Sequence, residues 1–130
     1  MSLNQDRRNL VRFKIPGAKV RYKQHKGFRE AEEASGVMAV VDITRISIRF
    51  EAKDFLYPGS LIDLELIIPG KKKSIKVKGN IVWSSEATSD QPGYAVVQFL
   101  PFGSDERYNT MEAHEQLRKL SEEYMETLTS

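Results

Sequence analysis

The sequence predicts an all-β domain, an antiparallel barrel or sandwich, followed by one C-terminal helix. Two observations carry this prediction. Short segments with alternating apolar and polar residues recur between turn signals rich in Pro and Gly, which is typical of antiparallel barrels and sandwiches. Near residue 103 the apolar period changes from two to that of a helix. We therefore divide this single domain into an arm (1–17), a barrel (18–102) and a helix (103–130).

Six segments are predicted as strands because their apolar residues alternate with polar ones or form short apolar runs. They are residues 18–22, 36–43, 47–50, 61–68, 75–83 and 94–100. Residues 23–35, which are polar and rich in Glu and Lys, are predicted as a loop or a distorted hairpin. In the fifth strand Trp83 has the same parity as Ile75 and Ile81, so we expect it to pack in the core.

The tail is predicted as one amphipathic helix from about Ser104 to Leu128. Ser104 is a suitable N-cap, and the next two residues are acidic, as the first turn of a helix favours. The predicted apolar face consists of Met111, His114, Leu117, Ser121, Tyr124, Met125 and Leu128. Such a face must be covered, so we expect the helix to pack on the barrel or on a partner helix, which allows a homodimer.

Composition argues against several classes of protein. The chain has no cysteine, which excludes disulfides, thiolate nucleophiles and zinc–cysteine sites. It has no apolar run of about 18 residues, so membrane insertion is not expected, and without a signal peptide the cytoplasm is the expected location. Its two histidines, His25 and His114, lie in no catalytic or metal motif, and no phosphate-binding glycine loop is present. We expect neither enzyme activity nor a cofactor.

Basic charge is concentrated at the N-terminus. Residues 1–30 hold nine Lys/Arg and two Asp/Glu, whereas residues 101–130 hold three and seven. Arg8 and Arg12, with Arg7 beside them, lie on an arm without apolar periodicity. A guanidinium matches phosphate bidentately and stacks on aromatic bases, so these residues are candidates for binding an anionic, planar ligand. The alternative is a solvated basic arm, which is also how we interpret the run Lys71–Lys73 at a turn.

A second candidate group follows the second predicted strand. Asp42, Thr44 and Ser47 offer a carboxylate and two hydroxyls beside a turn. A carboxylate can accept two hydrogen bonds from the edge of a guanine. The alternative is that these side chains only form local turns with the backbone.

Taken together, Arg8-xxx-Arg12 and, about 30 residues later, Asp42-x-Thr44-x-x-Ser47 resemble the PilZ domain family. The signature of that family is Arg-xxx-Arg on an N-terminal arm and Asp/Asn-x-Ser-x-x-Gly between strands. Residues 79–83 and 93–99 are similar to its closing strands. The resemblance covers roughly residues 7–125; the first motif matches fully and the second is degenerate.

The resemblance implies a six-stranded antiparallel barrel that binds the bacterial second messenger cyclic di-GMP. In the family, the arginines contact phosphates and stack on guanine, while the second motif holds guanine and the ligand backbone. Arg8, Arg12 and Asp42 match by position, Thr44 replaces Ser, and Ser47 replaces Gly. A serine held at the left-handed φ that glycine permits would be strained by roughly 1 kcal/mol, and its side chain would approach the ligand.

Three hypotheses follow from the sequence. The first is a non-enzymatic cyclic di-GMP receptor whose arm folds over the ligand and changes a surface for an unidentified effector protein. Arg7, Arg45 and Arg49 would add positive charge to its site. The second is a PilZ-like interaction adapter that no longer binds the dinucleotide, as Ser47 would permit. The third, which leaves Asp42 unexplained, is a barrel that binds single-stranded nucleic acid.

Overall fold

The computed structural model of the chain describes residues 11–25 and 35–129. Six strands form a closed barrel in the order β1-β2-β3-β6-β5-β4, and every neighbouring pair is antiparallel. The strands are β1 (Lys19–Gln24), β2 (Met38–Ile43), β3 (Ser47–Ala52), β4 (Leu61–Ile67), β5 (Ile75–Ser84) and β6 (Gly93–Phe99). One helix, α1 (Met111–Thr129), follows them. The predicted all-β fold, a six-stranded antiparallel barrel with a C-terminal helix, is confirmed.

In most strands the side chains alternate, so that every second one points into the barrel. Phe50, Ile62 and Val97 are fully enclosed there, and burying each side chain of this size contributes about 1.5–3 kcal/mol. Gly79 lies where β5 and β6 approach closely. A Cβ at this position would lie 2.4 Å from Cγ1 of Val97 and 2.6 Å from the carbonyl oxygen of Gln98, so only glycine fits without a shift.

Two β-bulges interrupt the alternation. In β2, Val40 pairs with Phe50 and Asp42 pairs with Arg49, so Val41 is an extra residue. In β5, the pairing of Ile81 with Val97 is followed by that of Trp83 with Val96, which makes Val82 the extra residue. A bulge adds one residue to one strand and reverses the parity of the residues after it. The side chains after each bulge therefore point to the opposite side of the barrel wall from the one that alternation predicts.

Helix α1 begins at Met111, so the predicted start at Ser104 is wrong. The hydroxyl of Thr110 accepts a hydrogen bond from the Ala113 amide at 3.1 Å and caps the helix. The buried side chain of Asn109 holds the preceding segment on the barrel: its Nδ2 donates to the carbonyls of Lys78 (2.9 Å) and Leu100 (3.0 Å). These bonds attach Asn109 to the barrel, and residues 103–109, which precede α1, are not helical.

The helix packs on the barrel through Ala113, Leu117 and Leu120, which belong to the main core. Met111 is 56% exposed, so its placement on the covered face was wrong. It occupies the first helical position, two residues before Ala113, where the helix first contributes to the core. His114 is half-buried and meets Phe102 edge-on, with ring centroids 5.1 Å apart. No helix in the described residues is long and apolar enough to cross a membrane.

Candidate functional site

The last part of the predicted arm is attached to the barrel beside β2. Phe13 forms an isolated antiparallel bridge with Ile43: the Phe13 amide donates to the Ile43 carbonyl at 2.8 Å, and the Ile43 amide donates back at 2.9 Å. Phe13 and Ile15 are buried in the core. Since neighbouring residues of an extended segment point to opposite sides, Arg12 faces outwards when Phe13 faces inwards. The bridge thereby places Arg12 beside the end of β2.

Asp42 is the acceptor that two arginines share. Its Oδ2 accepts a hydrogen bond from Nη2 of Arg49 at 2.7 Å and lies 3.7 Å from Nη1 of Arg12. The Asp42 side chain is only 8% exposed, whereas that of Arg12 is 63% exposed. Within the described residues, the buried Nε of Arg49 has no hydrogen-bond partner. Arg49 therefore compensates the buried carboxylate, and Arg12 has a looser, solvated ion pair that an anion could replace.

Thr44 and Ser47 form a tight turn between β2 and β3. The Thr44 amide donates to the Ser47 carbonyl at 2.8 Å, and Oγ1 of Thr44 accepts from the Ile46 amide at 3.1 Å. The two hydroxyl oxygens are 2.7 Å apart and share a hydrogen bond. The local turn considered from the sequence is thus present. These hydroxyls stabilise the turn that carries them, and Thr44 is buried.

Ser47 has no backbone strain. Among the described residues, positive φ values occur only at glycines, so Ser47 begins β3 with an ordinary extended backbone. The strain of roughly 1 kcal/mol considered for a left-handed serine is therefore absent. What distinguishes Ser47 from glycine here is its side chain, which is bonded to Thr44.

The pairing of four strands creates a continuous row of outward-facing side chains, which we call the outer row: Asp42, Arg49, Val96 and Trp83. Asp42 pairs with Arg49, Arg49 with Val96, and Val96 with Trp83. Since adjacent strands are about 4.8 Å apart, the row is roughly 14 Å wide. Both bulges contribute to it, because unbroken alternation would place Asp42 and Trp83 on the inner side.

Trp83 was predicted to lie in the core, and this is wrong. Its side chain is 50% exposed, because Val82 bulges and reverses the parity of the residues after it. Sequence reasoning consequently missed Trp83 as a site residue. The signal available was weak: Ile81, Val82 and Trp83 are three consecutive large apolar residues, which a half-buried strand rarely contains.

Arg45 lies on the turn but contacts the helix. Its Nε donates to Oγ of Ser121 at 2.8 Å, and Oγ of Ser121 donates to the Arg118 carbonyl at 2.8 Å. Ser121 is fully buried. The charge of Arg45, which the sequence placed with Ser47 and Arg49, is thus directed to α1, and the turn and the helix are connected by a partly buried hydrogen-bond chain.

The structure therefore brings Arg12 and Asp42 together in an ion pair. It also joins Thr44 and Ser47, in the turn that follows Asp42, by a hydrogen bond between their hydroxyls. Arg7 and Arg8 lie outside the described residues. No group of three or more His, Asp or Glu side chains that could hold a metal ion occurs in the part of the chain that the structure describes. A scan against family models found no match for the chain, and a search of curated proteins found no similar sequence.

Proposed function

We propose that the protein is a non-enzymatic receptor that binds cyclic di-GMP on the outer row and the adjoining arm. One observation carries the proposal: a solvated arginine lies 3.7 Å from a buried carboxylate, on a barrel surface that also exposes a tryptophan. These are the groups that phosphate, the guanine edge and a base ring each require. The motif resemblance supplies the identity of the dinucleotide, and a bacterial second messenger would place the receptor in the cytoplasm.

Each group has a distinct role in this proposal. Arg12 binds a phosphate after leaving its long ion pair with Asp42. The carboxylate of Asp42 accepts two donors from a guanine and keeps Arg49, because an ionised carboxylate has about four acceptor positions. Trp83, at the far end of the outer row, stacks on a base; such stacking contributes about 1–3 kcal/mol. Thr44 and Ser47 hold the turn beneath the ligand.

The proposal also includes Arg8. In the sequence Arg8 precedes Arg12 by four residues, and a chain of this length spans at most about 14 Å. Arg7 and Arg8 would close over the ligand from the side opposite the barrel. Ordering this arm opposes binding by about 1–2 kcal/mol per residue, which the charge-assisted contacts must exceed. The closed arm then presents a new surface to an effector protein.

Isothermal titration with cyclic di-GMP tests the proposal. We expect binding at micromolar concentration or tighter. Since a charge-assisted hydrogen bond contributes about 1.5–3 kcal/mol, Arg12→Ala should weaken binding by about tenfold to a hundredfold, and Arg8→Ala similarly. Arg21→Ala is the matched control: Arg21 forms an ion pair of similar length with Glu65, 3.6 Å, and is 49% exposed. No heat at high ligand concentration would refute the proposal.

The single tryptophan of the chain provides a second readout. If a base stacks on Trp83, its fluorescence should change on titration with cyclic di-GMP, with the same midpoint as the calorimetric curve. Trp83→Leu should weaken binding by about fivefold to 150-fold, given the stacking contribution of about 1–3 kcal/mol. Unaltered affinity in Trp83→Leu would remove Trp83 from the site while leaving the roles of Arg12 and Asp42 open to the first test.

A second candidate function is a PilZ-like interaction adapter that does not bind the dinucleotide. It is favoured because the polar groups of the site already form hydrogen bonds with one another. The hydroxyls of Thr44 and Ser47 share one, and Arg49 donates one to Asp42. Ser47→Gly separates the two functions. If the native chain does not bind and Ser47→Gly does, the adapter is supported; equal binding by both forms supports the receptor.

A further inference from the structure

A concavity lies between the β4–β5 turn and helix α1, and no residue of the outer row lines it. Its volume is about 370 Å³, within the range of about 300–1,000 Å³ that is usual for small-molecule sites. Gly70, at φ +81°, makes the turn, and the Lys71 amide closes it by donating to the Ile68 carbonyl at 3.1 Å. Three consecutive lysines follow in the chain and lie beside α1.

Four lysines line this concavity. Lys71, Lys72 and Lys73 come from the turn and Lys119 from the helix, and all four side chains are exposed. One carboxylate lines it with them, that of Glu123, which lies 3.7 Å from Nζ of Lys71. Within the described residues, this is the one ion pair that the four lysines form. The concavity therefore has a balance of three positive charges, whose mutual repulsion a bound anion would relieve.

The base of the concavity is apolar. Ile68 and Ile75 flank the turn and Leu120 extends from the helix; all three are buried. Charges above a surface of low dielectric interact more strongly than charges in open water. Gln116 adds a neutral amide to the lining. The arrangement suits a molecule with an anionic end and an apolar part. A solvated turn explains Lys71–Lys73 but does not explain why Lys119 of the helix borders the same concavity.

We propose that this concavity binds a phosphate-bearing molecule with an apolar portion, at a site separate from the outer row. Lys72, Lys73 and Lys119 contact the phosphate as point charges, and the apolar portion lies on Leu120 and its neighbours. The phosphate could belong to a free organic phosphate or to a lipid headgroup, since both present the same chemistry. This proposal does not depend on cyclic di-GMP binding.

The test uses 1-naphthyl phosphate, with 1-naphthol and inorganic pyrophosphate as probes that each lack one feature. We expect 1-naphthyl phosphate to bind more tightly than either. The double variant Lys72→Gln/Lys73→Gln should weaken binding at least about tenfold, as the loss of charge-assisted contacts predicts. Lys53→Gln is the matched control, because Lys53 is an exposed lysine that does not line the concavity. Surface lysines contribute little to folding, so all variants should keep the native melting temperature.

Three results would overturn the proposal: no binding of 1-naphthyl phosphate, an equal loss in Lys53→Gln, or a loss in Arg12→Ala instead, which would place the probe near the outer row. Sedimentation with phosphatidylcholine vesicles, with and without phosphatidylglycerol, identifies the source. Lysine-dependent binding to the anionic vesicles, together with naphthyl phosphate binding, supports a lipid headgroup. Naphthyl phosphate binding without vesicle binding supports a free organic phosphate. Cyclic di-GMP affinity should be the same in the lysine variants.

Discussion

Asp42 should be important for the stability of the fold as well as for the proposed site. Arg12 should be important for the proposed site but not for stability. Asp42→Asn removes the charge that the buried carboxylate offers to Nη2 of Arg49 at 2.7 Å. A hydrogen bond of this kind contributes about 1.5–3 kcal/mol, and Arg49 would be left without compensation although its Nε already has no partner among the described residues. We therefore expect a loss of about 2 kcal/mol. Arg12→Gln removes an ion pair of 3.7 Å between groups of which one is 63% exposed, and such pairs contribute about 0–1 kcal/mol.

These energies translate into melting temperatures that calorimetry can separate. With an unfolding entropy of about 2.1 cal/mol/K per residue, the whole chain has roughly 0.27 kcal/mol/K. Asp42→Asn should then lower the melting temperature by roughly 7 °C, and Arg12→Gln by less than about 4 °C. Urea unfolding followed by far-ultraviolet circular dichroism gives the same comparison as free energies, and a constant m-value would show that the denatured state is unchanged.

A double-mutant cycle decides whether the contact itself is responsible. For Asp42→Asn with Arg49→Gln, we expect a coupling energy above about 1 kcal/mol, because the two side chains are in direct contact. For Asp42→Asn with Arg12→Gln, the coupling should be within about 0.5 kcal/mol. The reasoning would be refuted if Arg12→Gln destabilised the fold as much as Asp42→Asn, or if the changes at Asp42 and Arg49 were additive. Arg12 would then be a structural residue, and its loss could not be interpreted as lost ligand contact.

Three further predictions concern the barrel and the helix. Gly79→Ala should destabilise the fold by about 1–3 kcal/mol in urea unfolding, because its Cβ would lie 2.4 Å from Cγ1 of Val97; a neutral effect would show that β6 can shift. Thr110→Ala should lower stability by about 1 kcal/mol through the lost N-cap, and an unchanged urea midpoint would contradict that role. Arg45→Ala removes the hydrogen bond to Ser121 and should speed amide hydrogen exchange in the middle of α1; unchanged exchange would show that the bond does not couple turn and helix.

The positions of the strands, and which of their side chains are buried, could be predicted from the sequence because most of the barrel follows period-two alternation, from Val20 in β1 to Val97 in β6. Alternation failed where a strand contains an extra residue. A bulge changes the pairing of two strands and leaves the composition of each unchanged, so the position of Trp83 depended on a partner strand that the sequence does not reveal. The predicted start of the helix was wrong for a related reason: Asn109 forms a hydrogen bond with Lys78, which is 31 residues earlier in the chain.

The candidate site was accessible in part. The types and spacing of Arg12, Asp42, Thr44 and Ser47 indicated a site before any geometry was known. Which arginine pairs with Asp42 could not be derived, because Arg49 reaches Asp42 across β2 and β3 and its position depends on the bulge at Val41. The hydrogen bond from Arg45 to Ser121 could not be predicted either, because it depends on where a helix packs whose Ser121 is 76 residues away in the sequence.

The two bulges have a consequence for how this surface can change in evolution. A deletion of Val41 or Val82 would remove the extra residue and restore alternation without changing the pairing, so Asp42 would still pair with Arg49, and Trp83 with Val96, on the outer side of the barrel. A related protein that lacks either residue would therefore present the same outer row, with a spacing one residue shorter in its sequence. Alignments of such proteins should therefore allow a gap of one residue at Val41 in β2 and at Val82 in β5, because such a gap changes the spacing of the motifs but not the side of the barrel on which they lie.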